Sequence, residues 1–146
     1  SMKRSTLREI VKSIASESKC VSMSVGCVLV KDGHIISTGR NGTAKGDVNC
    51  CDKFTERGEE HSAWSEKFEL HAEINAIIYC PVDPRGSIAV VTHSPCFPCT
   101  RTLVAAGITD IHYLERYYRQ SDEDFAEAVD YCNRMGVTFQ IIPEDM

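Results

Sequence analysis

The spacing of apolar residues predicts a helix followed by a β-hairpin in the first part of the chain. One set of apolar positions recurs at helical spacing: Leu7, Ile10, Val11 and Ile14. They predict an amphipathic helix over residues 6–17. A continuous apolar run over 25–30 and another that starts at Ile35 predict two strands. Asp32-Gly33 between them favours a tight turn, so we expect the strands to pair antiparallel.

Strands and helices alternate in the second half of the chain. The predicted elements are helix 71–79, strand 88–92, helix 100–106, strand 108–114, a helix with apolar stripe Phe125, Val129 and Cys132, and strand 137–142. Pro81 ends the first of these helices, Gly107 caps the second, and Ser121 is a candidate N-cap of the third. Right-handed crossovers make the last three strands parallel, which predicts a mixed five-stranded sheet covered by helices.

Residues 42–68 lack such a pattern and are rich in Gly, Asp, Glu, Lys and Ser. A structureless stretch longer than about 15 residues is uncommon inside a compact domain. We therefore expect something other than core packing to order this long loop.

The length and charge of the chain limit the kinds of protein to which it can belong. The 146 residues fit one domain, 1–146, and Ser1 before Met2 is interpreted as a cloning remnant. Sixteen basic and 21 acidic side chains give a net charge of -5, which argues against nucleic acid as a partner. No apolar run approaches the about 18 residues of a membrane span, and no leader is recognised. The eight cysteines are then expected to be thiols or metal ligands in a reducing, cytoplasmic compartment.

Two short motifs carry the chemistry: His71-Ala72-Glu73 and Pro95-Cys96-Phe97-Pro98-Cys99. Together they supply one imidazole and two thiolates for zinc, with a carboxylate beside the imidazole. Pro98 favours a first helical turn, so both motifs are expected at helix N-termini. Three protein ligands leave the fourth position of a tetrahedral zinc open, as in catalytic sites.

The combined pattern H-x-E…P-C-x-x-C is the signature of zinc-dependent nucleobase deaminases. In such enzymes zinc activates a water that attacks C4 of cytosine or C6 of adenine, and the glutamate carries protons to the ring nitrogen and the leaving amine. Here the ligands are His71, Cys96 and Cys99, and Glu73 is the proton carrier. The alternative, a structural zinc knuckle with an incidental Glu73, leaves the fourth ligand unaccounted for.

The residues around these motifs resemble those of deoxycytidylate (dCMP) deaminases, most closely the phage-encoded branch. The resemblance runs over nearly the whole length and includes 16–20, 35–39, Asn41-Gly42, 48–51, His61-Ser62, Trp64-Ser65 and 74–77. It implies a cytidine deaminase-like α/β fold, a three-layer α/β/α sandwich. It also implies hydrolysis of dCMP to dUMP and ammonia, which supplies thymidylate synthesis, in the host cytoplasm if the protein is phage-encoded.

The same resemblance assigns four substrate-binding residues. Asn41 would bind the deoxyribose hydroxyl, and Val25 would line the base pocket. Ser94 would offer backbone contacts to the pyrimidine edge, and Tyr117 would pack close to the nucleotide. Each of these residues also has an interpretation that involves no ligand. Val25 and Tyr117 would then be core residues, and Asn41-Gly42 would form a turn.

Relatives of this kind are homohexamers, activated by dCTP, which can carry Mg²⁺, and inhibited by dTTP. Two departures bear on that regulation. Arg40 stands where the family often has tyrosine in Gly-Tyr-Asn-Gly, and Pro81 shortens the helix that carries the glutamate. Arg40 is thus a candidate regulatory residue that could bind phosphate, or else a solvated charge at a strand end.

A second zinc is also implied by the resemblance, at Cys20, Cys50, His61 and Glu69. Four protein ligands would make this site closed and structural, and it would hold the loop 42–68 in place. Cys51 is an alternative to Cys50. The competing interpretation is that the cysteines are buried thiols and that His61 and Glu69 are solvated.

Three other functions compete with a dCMP deaminase. An editing deaminase of the transfer-RNA adenosine type shares the metal motif but needs a basic groove. A free cytidine or deoxycytidine deaminase generally has cysteine where this chain has His71. A zinc-binding interaction module without activity would not need the open coordination position.

Overall fold

The computed structural model describes residues 2–145. Within them the elements are, in chain order, α1 (Arg4–Ser16), β1 (Gly26–Lys31), β2 (His34–Arg40), β3 (Gly42–Thr43), α2 (Cys50–Lys53), α3 (Glu59–Phe68), β4 (Glu69–Leu70), α4 (Ala72–Ile78), β5 (Ile88–His93), α5 (Phe97–Ala105), β6 (Asp110–Glu115), α6 (Asp122–Met135) and β7 (Thr138–Ile141). The predicted helices and strands are all present, with ends shifted by a few residues. The largest shift is at α5, which begins at Phe97 because Cys96 is its N-cap.

The main sheet has five strands in the order β2-β1-β5-β6-β7. Strand β1 pairs antiparallel with both β2 and β5, whereas β5, β6 and β7 are parallel. Asp32 and Gly33 both adopt positive φ, 52° and 79°, in the hairpin turn. The mixed sheet and its parallel half are confirmed.

Side chains alternate between the two faces of the sheet. Cys27 and Leu29 of β1 pack with α4, α5 and α6 on one face. Val28 and Val30 pack with α1 on the other. Because both faces are covered by helices, the molecule is the expected three-layer α/β/α sandwich.

Glycine at position 39 lets α4 lie directly on the edge strand β2. A Cβ at Gly39 would collide with the backbone of Ala72 and Ala76. The Ser37 hydroxyl donates to the Ala76 carbonyl at 2.6 Å, and the Asn75 amide donates to the Arg40 carbonyl at 2.8 Å. The position of α4 on the sheet is thereby fixed.

The expectation that residues 42–68 form one long loop is wrong. This segment contains β3 and the helices α2 and α3, and β3 pairs antiparallel with β4. His61, Trp64 and Phe68 lie at helical spacing on α3, and the Trp64 ring contacts the rings of both Phe54 and Phe68 at tilted angles. Aromatic packing therefore orders part of a segment whose polar composition hid the helical period.

None of the helices in the described residues is both long and apolar enough to cross a bilayer.

Candidate active site

The two chemical motifs lie at the N-termini of neighbouring helices, as expected. His71 is the N-cap of α4 and Cys96 is the N-cap of α5, with Pro98 in the first turn. Neither side chain makes a capping hydrogen bond to its own helix. Both are therefore free to point at a common third group, and the positive ends of two helix dipoles favour thiolate there.

The side chains of His71, Cys96 and Cys99 converge at one point. Nδ1 of His71 lies 3.0 Å from Sγ of Cys99 and 3.6 Å from Sγ of Cys96. All three candidate ligand atoms lie within 4.8 Å of one another. One imidazole and two sulfurs at this separation are a donor set for zinc, so the residues fit the predicted metal.

The pKa values of the three candidate ligands are shifted in different directions. Hydrogen bonds from Cys99 and His71 lower the pKa of Cys96 to about 5. The hydrogen bond to Cys96 raises the pKa of His71 to about 9, and contact with Cys96 together with burial raises the pKa of Cys99. Cys96 is therefore a thiolate at neutral pH, the form that binds metals.

Glu73 is buried in the first turn of α4, with 4% of its surface exposed. Burial raises its pKa to about 7. A carboxyl group that gains and loses a proton near neutral pH suits general acid and base catalysis.

A cavity of about 340 Å³ lies in front of Glu73 and the metal-binding cluster. We call it the catalytic cavity. Its walls come from the segment before β1, from α3, from the ends of β5 and β6, and from the starts of α4 and α5: Ser22, Met23, Val25, His61, Ser62, Ser65, Glu66, His71, Ala72, Glu73, His93, Ser94, Cys96, Tyr117 and Arg119. The volume and mixed polarity suit a small molecule.

Three of the four predicted substrate residues, Val25, Ser94 and Tyr117, line the catalytic cavity, and Asn41 does not. The Asn41 side chain lies behind the wall, where its Oδ1 accepts from the Val25 amide at 2.9 Å. Its Nδ2 donates to the Met23 carbonyl at 2.7 Å. Asn41 thus fixes the backbone of two wall residues, and its contact with a sugar stays a prediction.

Ser94 and Tyr117 are joined by hydrogen bonds. The Tyr117 amide donates to the Ser94 hydroxyl at 2.8 Å, and the hydroxyl donates to Gln120 at 2.5 Å. The Ser94 amide donates to the Glu115 carbonyl at 3.0 Å. These bonds fix the segment after β6 against the end of β5.

The residues predicted for the second metal are also brought together. Nε2 of His61 lies 3.0 Å from Sγ of Cys50, 3.6 Å from Sγ of Cys20 and 3.6 Å from Oε1 of Glu69. All four ligand atoms lie within 4.8 Å of one another. Cys51 is exposed and is not part of this cluster.

Burial shows that this second cluster fits a cation. The side chains of His61 and Glu69 are only 4% and 5% exposed. Oε2 of Glu69 is buried without a hydrogen-bond partner among the described residues. A buried carboxylate beside two sulfurs is costly unless a positive charge compensates it, which a divalent metal would do.

A second cavity of about 600 Å³ lies beside α4, away from the catalytic cavity. Arg40, Lys19 and Lys45 line it, and so do Asn75 and Tyr79 of α4. Arg40 forms an ion pair with Glu17 at 3.8 Å. The predicted regulatory residue thus lies in a cavity that contacts the helix bearing Glu73.

Sequence reasoning missed several wall residues of the catalytic cavity. Arg119 follows Tyr117 by two positions, which was the available signal. Ser62, Ser65 and Glu66 belong to α3, which was not predicted. His93 directly precedes Ser94 and belongs to no sequence motif that marks it as a wall residue.

Comparisons with known proteins agree with the interpretation of this site as a zinc-binding one. Residues 1–115 match the model for the cytidine and deoxycytidylate deaminase zinc-binding region. The chain is 35% identical over 153 residues to the deoxycytidylate deaminase of Enterobacteria phage T4, covering 80% of this chain and 79% of that protein. It is 32% identical to the deoxycytidylate deaminase of Mycobacterium phage D29, over 71% of this chain and 88% of that one.

A solved structure has the same fold. It is the dCMP deaminase of cyanophage S-TIM5 in complex with dCMP and dUMP, with a TM-score of 0.75 and 27% identity. The match covers 97% of this chain and 100% of that chain. The chain therefore belongs to the zinc-binding cytidine and deoxycytidylate deaminase family, in its phage-type deoxycytidylate deaminase branch.

Proposed function

We propose that this protein hydrolyses dCMP to dUMP and ammonia with a bound zinc, and so supplies dUMP for thymidylate synthesis. The observation that carries the proposal is the catalytic cavity, which joins the His71–Cys96–Cys99 cluster and Glu73 to one guanidinium, that of Arg119. The dCMP and dUMP bound to the cyanophage S-TIM5 relative support the choice of nucleotide.

The chemistry follows from Glu73 and the metal ligands. Zinc held by His71, Cys96 and Cys99 would supply a water acidified to near-neutral pH. Glu73, with its raised pKa, takes a proton from that water and delivers it to N3 of the cytosine ring. The hydroxide that remains would add to C4 and form the C4–O bond. Glu73 would then take the proton of the new C4 hydroxyl and give it to the amine, so that the C4–N bond breaks, ammonia leaves and the C4 carbonyl of dUMP forms.

Arg119 would bind the phosphate of the substrate. Among the described residues it is the only lysine or arginine that lines the catalytic cavity. Its guanidinium donates to the Ser22 hydroxyl at 3.3 Å and lies over the Tyr118 ring, 5.5 Å from its centroid. A guanidinium held in place in this way suits a phosphate dianion.

The remaining walls would hold the base and the sugar. Val25 and Tyr117 would contact the nucleotide, and the Ser94 carbonyl would face the pyrimidine edge, because the Ser94 amide already donates to Glu115. Asn41 would act from behind the wall, because its hydrogen bonds hold the backbone of Met23 and Val25 in place.

A panel of substrates tests the proposal. Ammonia release is measured with dCMP, cytidine, deoxycytidine, dCTP and a transfer-RNA anticodon loop. We expect kcat/KM for dCMP to exceed that for deoxycytidine by about 100-fold or more, because the nucleoside leaves Arg119 unpaired. Equal values would assign the protein to the nucleoside deaminases, and turnover of the anticodon loop alone would make it an editing enzyme.

Two variants sharpen this test. Arg119→Gln should lower kcat/KM for dCMP but leave that for deoxycytidine close to the wild-type value. Arg101→Gln removes an exposed arginine from α5 outside the cavity and serves as the matched control. An equal loss with both substrates in Arg119→Gln would contradict the phosphate role.

We also propose that Cys20, Cys50, His61 and Glu69 hold a second, structural zinc. The four ligand atoms and the unpartnered Glu69 oxygen support this assignment. With four protein ligands the site has no position for a reacting water.

Regulation by nucleotide triphosphates is proposed for the second cavity. Arg40, Lys19 and Lys45 offer positive charge for phosphates, and Asn75 connects the cavity to α4. We expect activation by dCTP with Mg²⁺, inhibition by dTTP, and a homohexamer in sedimentation equilibrium. Arg40→Ala should abolish both nucleotide responses without lowering basal turnover, and unchanged responses in that variant would contradict the role of Arg40.

A further inference from the structure

His93 lies at the C-terminal end of β5 and lines the catalytic cavity. In the parallel pairing of β5 with β6 it lies opposite Glu115. Its side chain is only 16% exposed. It touches neither the metal-binding cluster nor Glu73 through any hydrogen bond of the described residues, so the proposed chemistry does not use it.

Both nitrogens of the His93 ring are engaged. Nε2 lies 3.1 Å from Oε1 of Glu115, and Nδ1 lies 2.9 Å from the hydroxyl of Thr92. The Thr92 hydroxyl also accepts from the Gly26 amide at 3.1 Å, so its own proton is free to donate to Nδ1. Nε2 then carries the ring proton and donates it to Glu115. Burial lowers the pKa of His93, which agrees with this neutral ring.

This hydrogen-bond chain starts at the base of one cavity wall. Gly26 directly follows Val25, which lines the catalytic cavity. The chain ends at Glu115, two residues before Tyr117, which also lines the catalytic cavity. The His93 ring also meets the Tyr117 ring edge to face, with centroids 5.9 Å apart and planes at 72°.

We propose that His93 is a positioning residue that holds the Val25 and Tyr117 walls at a fixed separation, and so determines how tightly the nucleotide binds. The proposal rests on the proposed function for its substrate. The hydrogen-bond chain and the ring contact limit the rotamers of Tyr117 before the substrate arrives. Ordering a side chain in advance lowers the entropic cost of binding and leaves the chemical step unaltered.

Steady-state kinetics of two variants test the proposal. His93→Leu introduces an apolar side chain of similar size and removes both hydrogen bonds. We expect KM for dCMP to rise about 3- to 10-fold, kcat to stay within about 2-fold, and zinc content to be unchanged. His93→Gln, whose amide nitrogen can donate to Glu115, should restore most of the loss.

A control variant and a second measurement distinguish a positioning role of His93 from a general loss of stability. His112→Leu removes the other buried histidine of this sheet, outside the catalytic cavity, and should lower Tm without changing KM. Tyrosine ring signals of the ligand-free protein are followed by NMR and assigned with Tyr117→Phe. In His93→Leu the Tyr117 signals should move toward the averaged values of a mobile ring.

A wild-type KM in His93→Leu would overturn the proposal whatever kcat does, and wild-type Tyr117 signals would exclude the ordering of that ring by His93. If the wild-type protein does not turn over dCMP, the proposed function fails. The Tyr117 signals then still decide whether His93 orders that wall.

Discussion

At the scale of single residues, Glu73 makes the most direct prediction. Glu73→Gln keeps the size of the side chain but removes the base, so we expect turnover to fall by about 10²- to 10⁴-fold or more with zinc still bound. Activity and metal content are measured on the same preparation. Glu127→Gln, the same change on α6, is the control. Near-normal turnover in Glu73→Gln would contradict the mechanism, whereas His71→Ala should lose both metal and activity.

Zinc binding at the catalytic cluster should depend steeply on pH. The pKa of His71 is raised to about 9 and that of Cys99 is raised as well, so both hold protons at neutral pH, whereas the pKa of Cys96 is about 5. A metal must displace two protons, so affinity should rise about 100-fold per pH unit between pH 6 and 8. Competition with a chelator at several pH values measures this slope. A slope of zero would mean that His71 and Cys99 are not ligands.

The ligands of the catalytic cluster and Glu73 could be predicted because their spacing is local. His71 and Glu73, and Cys96 and Cys99, are neighbours in sequence, and helix N-termini bring them together. Arg119 and His93 could not be predicted in the same way. Their positions depend on the register between β5 and β6, which places residue 93 opposite residue 115 and which no local pattern encodes.

At the scale of elements, the contact between α4 and β2 is sensitive to a single methyl group. Gly39→Ala would push α4 away from the sheet, because its Cβ would meet the Ala72 and Ala76 backbone. We expect a loss of about 1–3 kcal/mol in the free energy of unfolding, together with lower activity. Gly42→Ala, which has open space around its Cβ, is the matched control for unfolding. Equal Tm values for the two variants would show that α4 can shift freely.

The second metal should hold α2 and α3 in place. Protein purified without added zinc should contain two zinc ions per chain, and Cys50→Ser should contain one and melt at a lower temperature. Cys51→Ser, at the exposed neighbouring position, should match the wild type. One zinc in the wild type, with Cys20 and Cys50 open to alkylation in the folded state, would exclude this site.

Helix α3 shows where element prediction from sequence fails. Its apolar face consists of only a few aromatic residues among charged ones, so the helical period is weak. The helix packs through Trp64 against Phe54, which follows α2. It also bears His61, whose ring contacts Cys50 and Cys20 of other segments. Cys20 and His61 are in contact although they are 41 positions apart in the sequence. The pattern of a short sequence segment carries no signal for such a contact.

At the scale of the whole molecule, the strand types and their order along the chain could be predicted, whereas the position of the hairpin in the sheet could not. The apolar runs and the crossover rule predict a parallel half and an antiparallel hairpin. Strand β1 pairs with β5 and so joins the hairpin to the parallel half of the sheet. This pairing is long-range in the sequence, since it places Cys27 opposite Val91. This pairing brings Val25 close to the ends of β5 and β6, where the catalytic cavity forms.

The two metal-binding clusters share one short stretch of backbone. Glu69 belongs to one cluster and His71 to the other, with only Leu70 between them. A metal that fixes Glu69 also restricts His71, so part of the ordering entropy for the second ion is lost when the first one binds. We therefore expect cooperative loading, in which chains carrying a single ion are rarer than independent binding predicts. Native mass spectrometry during a zinc titration counts them directly, and a statistical distribution of zero, one and two ions would show that the clusters fill independently.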